Sequence, residues 1–155
     1  MPGEYRVTQL RRSDVGSLKQ LLKVFGEAFG DVPTYQDAVP SDEYLAALLA
    51  SPMFIGVVAN QGGEVVGGLA AYELPKFERV RREIYLYDLA VAQSHRRRGL
   101  ARALILELKR IAKNRGAYVI FVQADRGDGP AIALYESLGK REDVFHFDIA
   151  VDGDE

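Results

Sequence analysis

The middle of the chain contains a set of residues that could do chemistry together: a carboxylate, three consecutive arginines and a glycine. Asp88 lies in an apolar and aromatic run, 84–91, of the kind found in buried strands. The arginines at 96–98 precede Gly99, and an amphipathic run begins at Leu100. A glycine there lets the backbone approach a ligand, and a helix N-terminus offers free N–H groups and a positive dipole end. The pattern predicts a phosphate-binding turn, although a solvated arginine-rich loop has the same composition.

Asp88 is the candidate general base. A carboxylate in an otherwise apolar strand is costly unless it has a partner or a chemical task. Desolvation would raise its pKa toward a value useful for taking a proton. The alternative is a partly exposed aspartate at a β-bulge that binds a backbone N–H. Glu83 and Tyr85 are the next candidates for the base, acting through water.

The elements that must position these residues follow from hydrophobic periodicity. Strands are expected at 5–10, 54–59, 65–72, 83–91, 118–123 and 145–151. Helices are expected at 14–29 with Ser13 as N-cap, after Ser41, at 100–115 and at 130–138. The strand at 83, the helix at 100 and the strand at 118 predict one right-handed crossover between parallel neighbours. The fold class is therefore α/β (α+β), with a mixed sheet.

Composition narrows the class of protein further. The 155 residues predict a single domain, 1–155, and the absence of cysteine excludes disulfides, thiolate metal sites and a cysteine nucleophile. Two histidines far apart make a metal site unexpected, and a net charge of −2 gives no reason to expect nucleic acid. No apolar run approaches the ~20 residues that span a bilayer. The N-terminus lacks the apolar core of a signal peptide, so a cytoplasmic protein is expected.

The central motif resembles the acetyl-CoA signature of the GNAT superfamily of N-acetyltransferases. Its match is Arg96-x-x-Gly99-x-Ala101 after a strand that ends Asp88-Leu-Ala-Val91. The resemblance implies a mixed sheet of about six to seven strands flanked by about four helices, in which the two parallel strands splay apart. It implies that the coenzyme pyrophosphate lies on the backbone amides of Arg96, Arg97, Arg98, Gly99, Leu100 and Ala101. It also implies that backbone groups of Leu89, Ala90 and Val91 hold pantetheine.

A second segment, 130–139, resembles the other coenzyme-binding motif of that family. In the family a helix tyrosine points at the coenzyme sulfur, which implies that Tyr135 is the general acid here. The alternative is a tyrosine packed on a helix face. The family often has an aromatic residue after the glycine at the end of this motif, whereas this chain has Lys140.

Nearly the whole chain resembles the small, gentamicin-modifying aminoglycoside 3-N-acetyltransferases. The matching segments are 25–31, 69–78, 83–91, 122–125 and 146–149. The resemblance implies antibiotic resistance through direct transfer of acetyl from acetyl-CoA to the 3-amino group of 2-deoxystreptamine, with Asp88 near the reacting amine. The residues expected to bind a polycationic aminoglycoside are Asp31, Glu83, Tyr85, Asp125, Asp128 and Asp143. Each acid has the alternative role of a solvated surface residue or a helix cap.

Two other functions stay open at this point. One is acetylation of a polyamine or a protein amine, which are also cationic. The other is a non-catalytic module that binds acetyl-CoA, against which the presence of both Asp88 and Tyr135 argues. Members of the family are often dimers, so a homodimer with the last strand as its contact is a further expectation. No metal, nucleic acid or membrane partner is expected.

Overall fold

The structure, a computed structural model, describes residues 4–153. The chain divides into two compact units, with the boundary between Gln123 and Ala124, and each unit is described by itself. The expectation of a single acetyltransferase domain stays a prediction.

The first unit is built on a five-stranded sheet with the order β1-β2-β3-β4-β5. Its strands are β1 (Arg6–Gln9), β2 (Phe54–Gln61), β3 (Glu64–Pro75), β4 (Arg82–Val91) and β5 (Ala117–Val122). Neighbours from β1 to β4 are antiparallel, and β4 and β5 are parallel. The turn between β2 and β3 uses Gly62 and Gly63, both with positive φ, as a tight hairpin requires. The predicted mixed sheet, with the strands at 83 and 118 as parallel neighbours, is therefore confirmed.

Four α-helices belong to this unit: α1 (Val15–Ala28), α2 (Val32–Gln36), α3 (Asp42–Ala50) and α4 (Leu100–Asn114). Ser41 caps α3 as predicted, and its hydroxyl accepts a hydrogen bond of 3.2 Å from the Tyr44 amide. The N-cap of α1 is Asp14, one residue after the predicted Ser13. The sequence interpretation placed α2 in a loop, although Asp31 and Pro33 together are a helix start signal.

Both faces of the sheet are covered, because successive β2 residues such as Val57 and Val58 are both fully buried. One face packs against α1 and α3, where Leu21 and Phe25 join the core around Phe54 and Val58. The other carries α4, whose buried stripe includes Leu100, Leu104 and Leu108. The helices α1 and α3 on one face and α4 on the other therefore enclose the sheet.

The pairing of β4 with β5 stops partway along β4. The parallel register runs from Arg82 opposite Ala117 to Leu86 opposite Val122, where β5 ends. β4 continues to Val91 and pairs there with β3 alone. Over the described residues, the β4 edge from Tyr87 onward therefore has no strand beside it on that side. This is the opening between parallel strands that the family resemblance implied.

Glu73 is the one charged side chain that is buried in the part of the chain the structure describes. Its carboxylate pairs with Arg82 and Arg115, each at 3.2 Å. Arg115 also donates to the Pro52 carbonyl at 2.6 Å. A buried carboxylate needs such partners, and these tie the end of α4 to β3 and β4.

The second unit contains one helix, α5 (Gly129–Leu138), among its described residues. The predicted strand at 145–151 is wrong: this segment has no ladder partner within residues 4–153. Its alternating side chains are exposed, among them Phe145 (84%), Phe147 (80%) and Ile149 (89%). Alternation shows that a segment could form a strand, but a strand also needs a neighbour for its N–H and C=O groups, which the local pattern does not encode. The described sheet accordingly has five strands, and five α-helices replace the expected four.

None of the helices in residues 4–153 combines the length and the apolar character needed to cross a membrane.

Candidate active site

Asp88 lies beside a β-bulge near the middle of β4. Ala70 of β3 pairs with Asp88 and Ala71 pairs with Leu86, so Tyr87 is the extra residue on the β4 side. A bulge re-aims the side chains next to it, and such irregularities are common near active sites. The alternative of an aspartate at a bulge was correct about the bulge, but its side-chain partner is a tyrosine hydroxyl rather than a backbone N–H.

The Tyr35 hydroxyl donates a hydrogen bond of 3.4 Å to the Asp88 carboxylate. Burial raises the pKa of Asp88 above its ordinary value, and the hydrogen bond from Tyr35 opposes this by a smaller amount. Burial, followed by the charge of Asp88, raises the pKa of Tyr35 to about 12. Tyr35 therefore stays protonated and can donate over the whole working range of pH, and Asp88 is a stronger base than a solvated aspartate.

Two aromatic contacts hold Tyr35 in place. Its ring lies 5.9 Å from the Phe25 ring and 5.7 Å from the Phe29 ring, and Phe25 and Phe29 stack on each other at 5.4 Å. Phe25 is almost fully buried, so the cluster is anchored in the core. Tyr35 lies on the short helix α2, whose N-cap, Asp31, accepts a hydrogen bond of 3.3 Å from the Thr34 amide. The contacts with Phe25 and Phe29 therefore position the Tyr35 hydroxyl beside Asp88.

The turn between β4 and α4 has the backbone geometry expected for an anion site. Gly99 caps α4 in the left-handed region with φ of 75°, and Arg97 is the one described non-glycine residue with positive φ, at 63°. The first turn of α4 contains no acidic residue. Its leading amides precede the first intrahelical bond, from the Ala103 amide to the Gly99 carbonyl. A helix of 15 residues therefore presents its positive end at a turn rich in arginine.

Two of the three arginines also brace this turn. The Nε of Arg96 donates to the Val91 carbonyl at 3.1 Å, which links the turn to the end of β4. Arg98 donates to the Tyr5 hydroxyl at 2.8 Å, and that hydroxyl contacts His95 Nδ1 at 2.9 Å. The Val91 carbonyl, one of the groups expected to hold pantetheine, is thus already bound by Arg96.

These residues fit a coenzyme pyrophosphate. Gly99 has positive φ, and nothing lies within 4 Å of the position where a Gly99 side chain would begin. A side chain here would enter that open space and strain the backbone. Leu89, Ala90 and Val91 lie on the stretch of β4 without a β5 neighbour, where backbone groups can face a ligand.

The substrate-binding candidates of the first unit already have local partners. Asp31 caps α2. Glu83 accepts a short hydrogen bond from the Tyr118 hydroxyl and lies 3.9 Å from the Lys76 ammonium. Tyr85 donates to the Gln123 side chain at 2.8 Å and stacks on Phe121 with ring centroids 4.6 Å apart. The structure brings Glu83, Tyr85 and Asp88 together on one strand.

The remaining candidates belong to the second unit. Tyr135 lies on α5, and burial, followed by the charge of Asp128, raises its pKa above the ordinary value of 10.0. Its hydroxyl is therefore protonated at neutral pH. Asp128 is the N-cap of α5, accepting from the Ala131 amide at 3.2 Å, and the Asp125 carbonyl accepts from the Asp128 amide at 3.0 Å. Asp143 pairs with Arg141 at 2.9 Å.

Sequence reasoning missed Tyr35, the residue that contacts Asp88. It lies 53 residues earlier in the chain, in a segment interpreted as a loop. Its helix start signal was available, but no local pattern says which strand a short helix will face. Groups of three or more histidine, cysteine or acidic side chains arranged to hold a metal ion are absent from residues 4–153.

Comparison with known proteins agrees with this geometry. Residues 18–140 match the model of the acetyltransferase (GNAT) family. The chain belongs to the acetyltransferase (GNAT) family. This confirms the predicted enzyme class, an acetyl-CoA-dependent N-acetyltransferase, and acetyl-CoA as the co-substrate of that class. The opened strand pair and the turn at Gly99 are the parts of this GNAT chain that suit the coenzyme.

Two solved structures resemble the chain over almost its whole length. One is an aminoglycoside acetyltransferase from an uncultured soil metagenomic sample: it is 56% identical, with a TM-score of 0.94 over 96% of this chain and 99% of that one. The other, also from an uncultured soil metagenomic sample, is an aminoglycoside acetyltransferase in complex with sisomicin. It is 29% identical, with a TM-score of 0.88 over 96% of this chain and 97% of that one.

Among curated proteins, N-acetyltransferase family 8 member 2 of Rattus norvegicus is 30% identical over 90 residues. That match takes in 58% of this chain and 40% of the rat protein. The chain thus spans about two fifths of this relative, in keeping with a shared acetyltransferase region.

Proposed function

We propose that this protein is an aminoglycoside 3-N-acetyltransferase that transfers acetyl from acetyl-CoA to the 3-amino group of 2-deoxystreptamine antibiotics such as gentamicin and so gives resistance to them. The observation that carries the proposal is the half-buried Asp88 carboxylate. It accepts a hydrogen bond from the Tyr35 hydroxyl and lies on the stretch of β4 beyond the end of the pairing with β5. Similarity to two aminoglycoside acetyltransferases over almost the whole chain supports the acceptor class. The 3-amino position rests on the sequence resemblance.

The proposed reaction begins with removal of a proton from the substrate. An alkylammonium group has a pKa above neutrality, so it must lose a proton before it can attack. The Asp88 carboxylate takes that proton, because its raised pKa makes it a better base than an exposed aspartate. The hydrogen bond from Tyr35 holds the carboxylate in one orientation.

The neutral amine then attacks the acetyl carbonyl carbon, forming a C–N bond while the C–S bond of the thioester breaks. Acetyl-CoA supplies the activated acyl group, and backbone amides near Leu89 and Val91 are the proposed donors to its carbonyl oxygen. Tyr135 gives its phenolic proton to the departing sulfur, and burial keeps that proton in place at neutral pH until then. The nitrogen gives up its second proton as the amide forms, and this proton restores the Tyr135 phenol through solvent. No covalent enzyme intermediate is required, in accord with the absence of cysteine.

The acceptor is a polycation, and the acidic side chains are its proposed contacts. We propose Asp31, Glu83, Asp125, Asp128 and Asp143 for ammonium groups other than the reacting one. Glu83 and Asp143 now carry Lys76 and Arg141 as partners, so a substrate ammonium would replace a cation already present. Such an exchange changes the net charge of the site little and favours substrates with several ammonium groups.

A thiol-release assay with a panel of amines tests the proposal. Purified protein and acetyl-CoA are mixed with gentamicin, sisomicin, spermidine or a lysine peptide, and free coenzyme A is followed. We expect release with the two aminoglycosides at a kcat/KM at least about tenfold above the other amines. Turnover confined to spermidine or the peptide would contradict the acceptor, and no turnover with any amine despite coenzyme binding would favour a non-catalytic module.

A further inference from the structure

Four aromatic side chains align across four strands of the sheet. Phe54 of β2 is the register partner of Tyr72 of β3, Tyr72 is the partner of Tyr85 of β4, and Tyr85 is the partner of Phe121 of β5. Register partners share one face of a sheet, so the four rings form a row on the face that carries Phe54, which is the face of α1 and α3. Tyr87, the bulged residue, adds a fifth ring.

The rings contact one another along the row. Centroid distances are 5.6 Å between Phe54 and Tyr72, 5.9 Å between Tyr72 and Tyr87, 5.3 Å between Tyr87 and Tyr85, and 4.6 Å between Tyr85 and Phe121. Such pairs lie within the range of favourable aromatic packing. The row is therefore a continuous aromatic surface that runs from the buried Phe54 to the stack of Tyr85 on Phe121.

Most of this row is open to solvent. Tyr72 is 39% exposed, Tyr87 60% and Phe121 36%. We call Tyr72, Tyr85, Tyr87 and Phe121 the aromatic shelf. Single exposed hydrophobic residues are normal on a protein surface. An aligned and mutually packed set of exposed aromatic rings instead indicates a binding surface.

Carboxylates flank the aromatic shelf on β4. Asp88 follows Tyr87 directly, and Glu83 lies two residues before Tyr85. The shelf lies within the field of Asp88: burial raises the pKa of Tyr72 and Tyr85, and the charge of Asp88 raises both further. Such a surface repels anions and favours a ligand with an apolar face and cationic groups at its rim.

We propose that the aromatic shelf binds one ring of the cationic amino sugar substrate, with the C–H face of that ring stacked on Tyr85 and Tyr87 and its ammonium groups directed to Asp88 and Glu83. This inference rests on the proposed function and extends it to a determinant of acceptor choice. A linear polyamine can satisfy the carboxylates but has no ring face to cover the shelf. The shelf therefore selects cyclic amino sugars over polyamines of similar charge.

The first test is a ring-current measurement by NMR. Sugar-ring C–H signals of gentamicin should move upfield when it binds the wild-type protein with coenzyme A present, because protons above an aromatic face are shielded. Tyr87→Leu should reduce these shifts, and Tyr87→Phe, which keeps the ring, should recover most of them. Phe77→Leu removes an aromatic side chain that is fully exposed in the β3–β4 loop, outside the shelf, and serves as the matched control.

The second test compares two ligands. We expect Tyr87→Leu to raise KM for gentamicin about tenfold, while the inhibition constant of spermidine changes less than about twofold. Tyr72→Leu, at the next ring of the row, should act in the same direction, and circular dichroism melting checks that each variant is folded. The proposed role of the aromatic shelf is wrong if Tyr87→Leu weakens gentamicin and spermidine binding equally, or if gentamicin shows no upfield shift on the wild-type protein.

These outcomes separate the shelf from the proposed function. If the wild-type protein acetylates gentamicin but Tyr87→Leu and Tyr72→Leu leave its KM unchanged, the shelf is wrong and the function stands. If the wild-type protein shows upfield shifts of bound gentamicin but forms no acetylated product, the shelf stands as a binding surface and the function is wrong.

Discussion

Tyr35 of α2 and Asp88 of β4 are 53 residues apart in the chain, and the hydroxyl of the first donates to the carboxylate of the second. The Asp88 carboxylate is half-buried, and it accepts a hydrogen bond from the Tyr35 hydroxyl. These two effects act on its pKa in opposite directions, with burial the larger. The arrangement makes Asp88 a positioned base and Tyr35 a positioning residue.

Tyr35→Phe should therefore change the pKa and the orientation of the Asp88 carboxylate while leaving that carboxylate in place. Loss of the hydrogen bond removes the influence that lowers the pKa of Asp88, so the acid limb of the kcat/KM profile should move to higher pH. A hydrogen bond to a charged group contributes about 1.5–3 kcal/mol, and at 3.4 Å we expect the lower part of that range, a loss of about tenfold in kcat. Steady-state kinetics across pH measures both effects.

Tyr44→Phe is the control, because Tyr44 is 61% exposed on α3 and its loss of a hydroxyl should leave the profile in place. An acid limb that stays still in Tyr35→Phe, or moves to lower pH, contradicts the positioning role.

Asp88→Asn should lose activity and gain stability at neutral pH. Loss of a general base costs about 10²–10⁴-fold in rate, with the largest loss at low pH, where the substrate amine holds its proton most tightly. The folded-state pKa of Asp88 is raised, so its ionisation costs stability: that cost is absent below the unfolded pKa and fully present above the folded pKa. The asparagine variant should melt higher than wild type at pH 7, and the difference should shrink toward pH 3.

A rate profile of the same shape as wild type would reject Asp88 as the base. A melting temperature that falls at pH 7 but not at pH 3 would instead mean that the charge itself stabilises the fold.

Gly99→Val should weaken coenzyme binding. Valine is strained at a φ of 75° and its side chain would enter the open space where the pyrophosphate is proposed to lie. We expect the dissociation constant for coenzyme A to rise about tenfold or more by calorimetry. Gly116→Val is the matched control: it has φ of 76° just after the other end of α4 and open space around it, so it should cost similar stability without changing the dissociation constant.

Equal weakening in the two glycine variants would mean that strain in α4, rather than the site at Gly99, controls coenzyme binding.

Tyr135→Phe should lower kcat about 10²-fold with little change in the dissociation constant of acetyl-CoA, since a general acid acts only as the thiolate leaves. Because the pKa of Tyr135 is raised by burial, the wild-type rate should not fall from its ionisation until well above neutral pH. Stopped-flow measurement of thiol release reports kcat directly. Unchanged turnover in this variant rules out the acid role.

The segment 83–122 shows how much of the fold could be predicted from sequence. The apolar run of β4, Gly99 and the stripe of α4 each carry a local signal, and together they determined the crossover. The contact of Tyr35 with Asp88 could not be predicted, because it depends on how a five-residue helix packs. The alternation at 145–151 was present, but no pattern supplies the neighbouring strand that would make it a ladder.

The site itself divides in the same way. Asp88 was recognised because a carboxylate among Tyr85, Leu86 and Leu89 conflicts with its surroundings. The aromatic shelf was not, because its members are spread over β3, β4 and β5 and only the register aligns them. Side chains whose chemistry conflicts with a local pattern can be found in the sequence, whereas sets created by strand pairing require the structure.

Mass spectrometry and NMR of the product formed from gentamicin and acetyl-CoA test the central claim most directly. The account predicts one added acetyl group, located on the nitrogen at position 3 of the 2-deoxystreptamine ring, with wild-type protein and a strongly reduced yield with Asp88→Asn. An acetyl group on another nitrogen would contradict the proposed position. Unmodified gentamicin from a protein shown to bind acetyl-CoA would contradict the function.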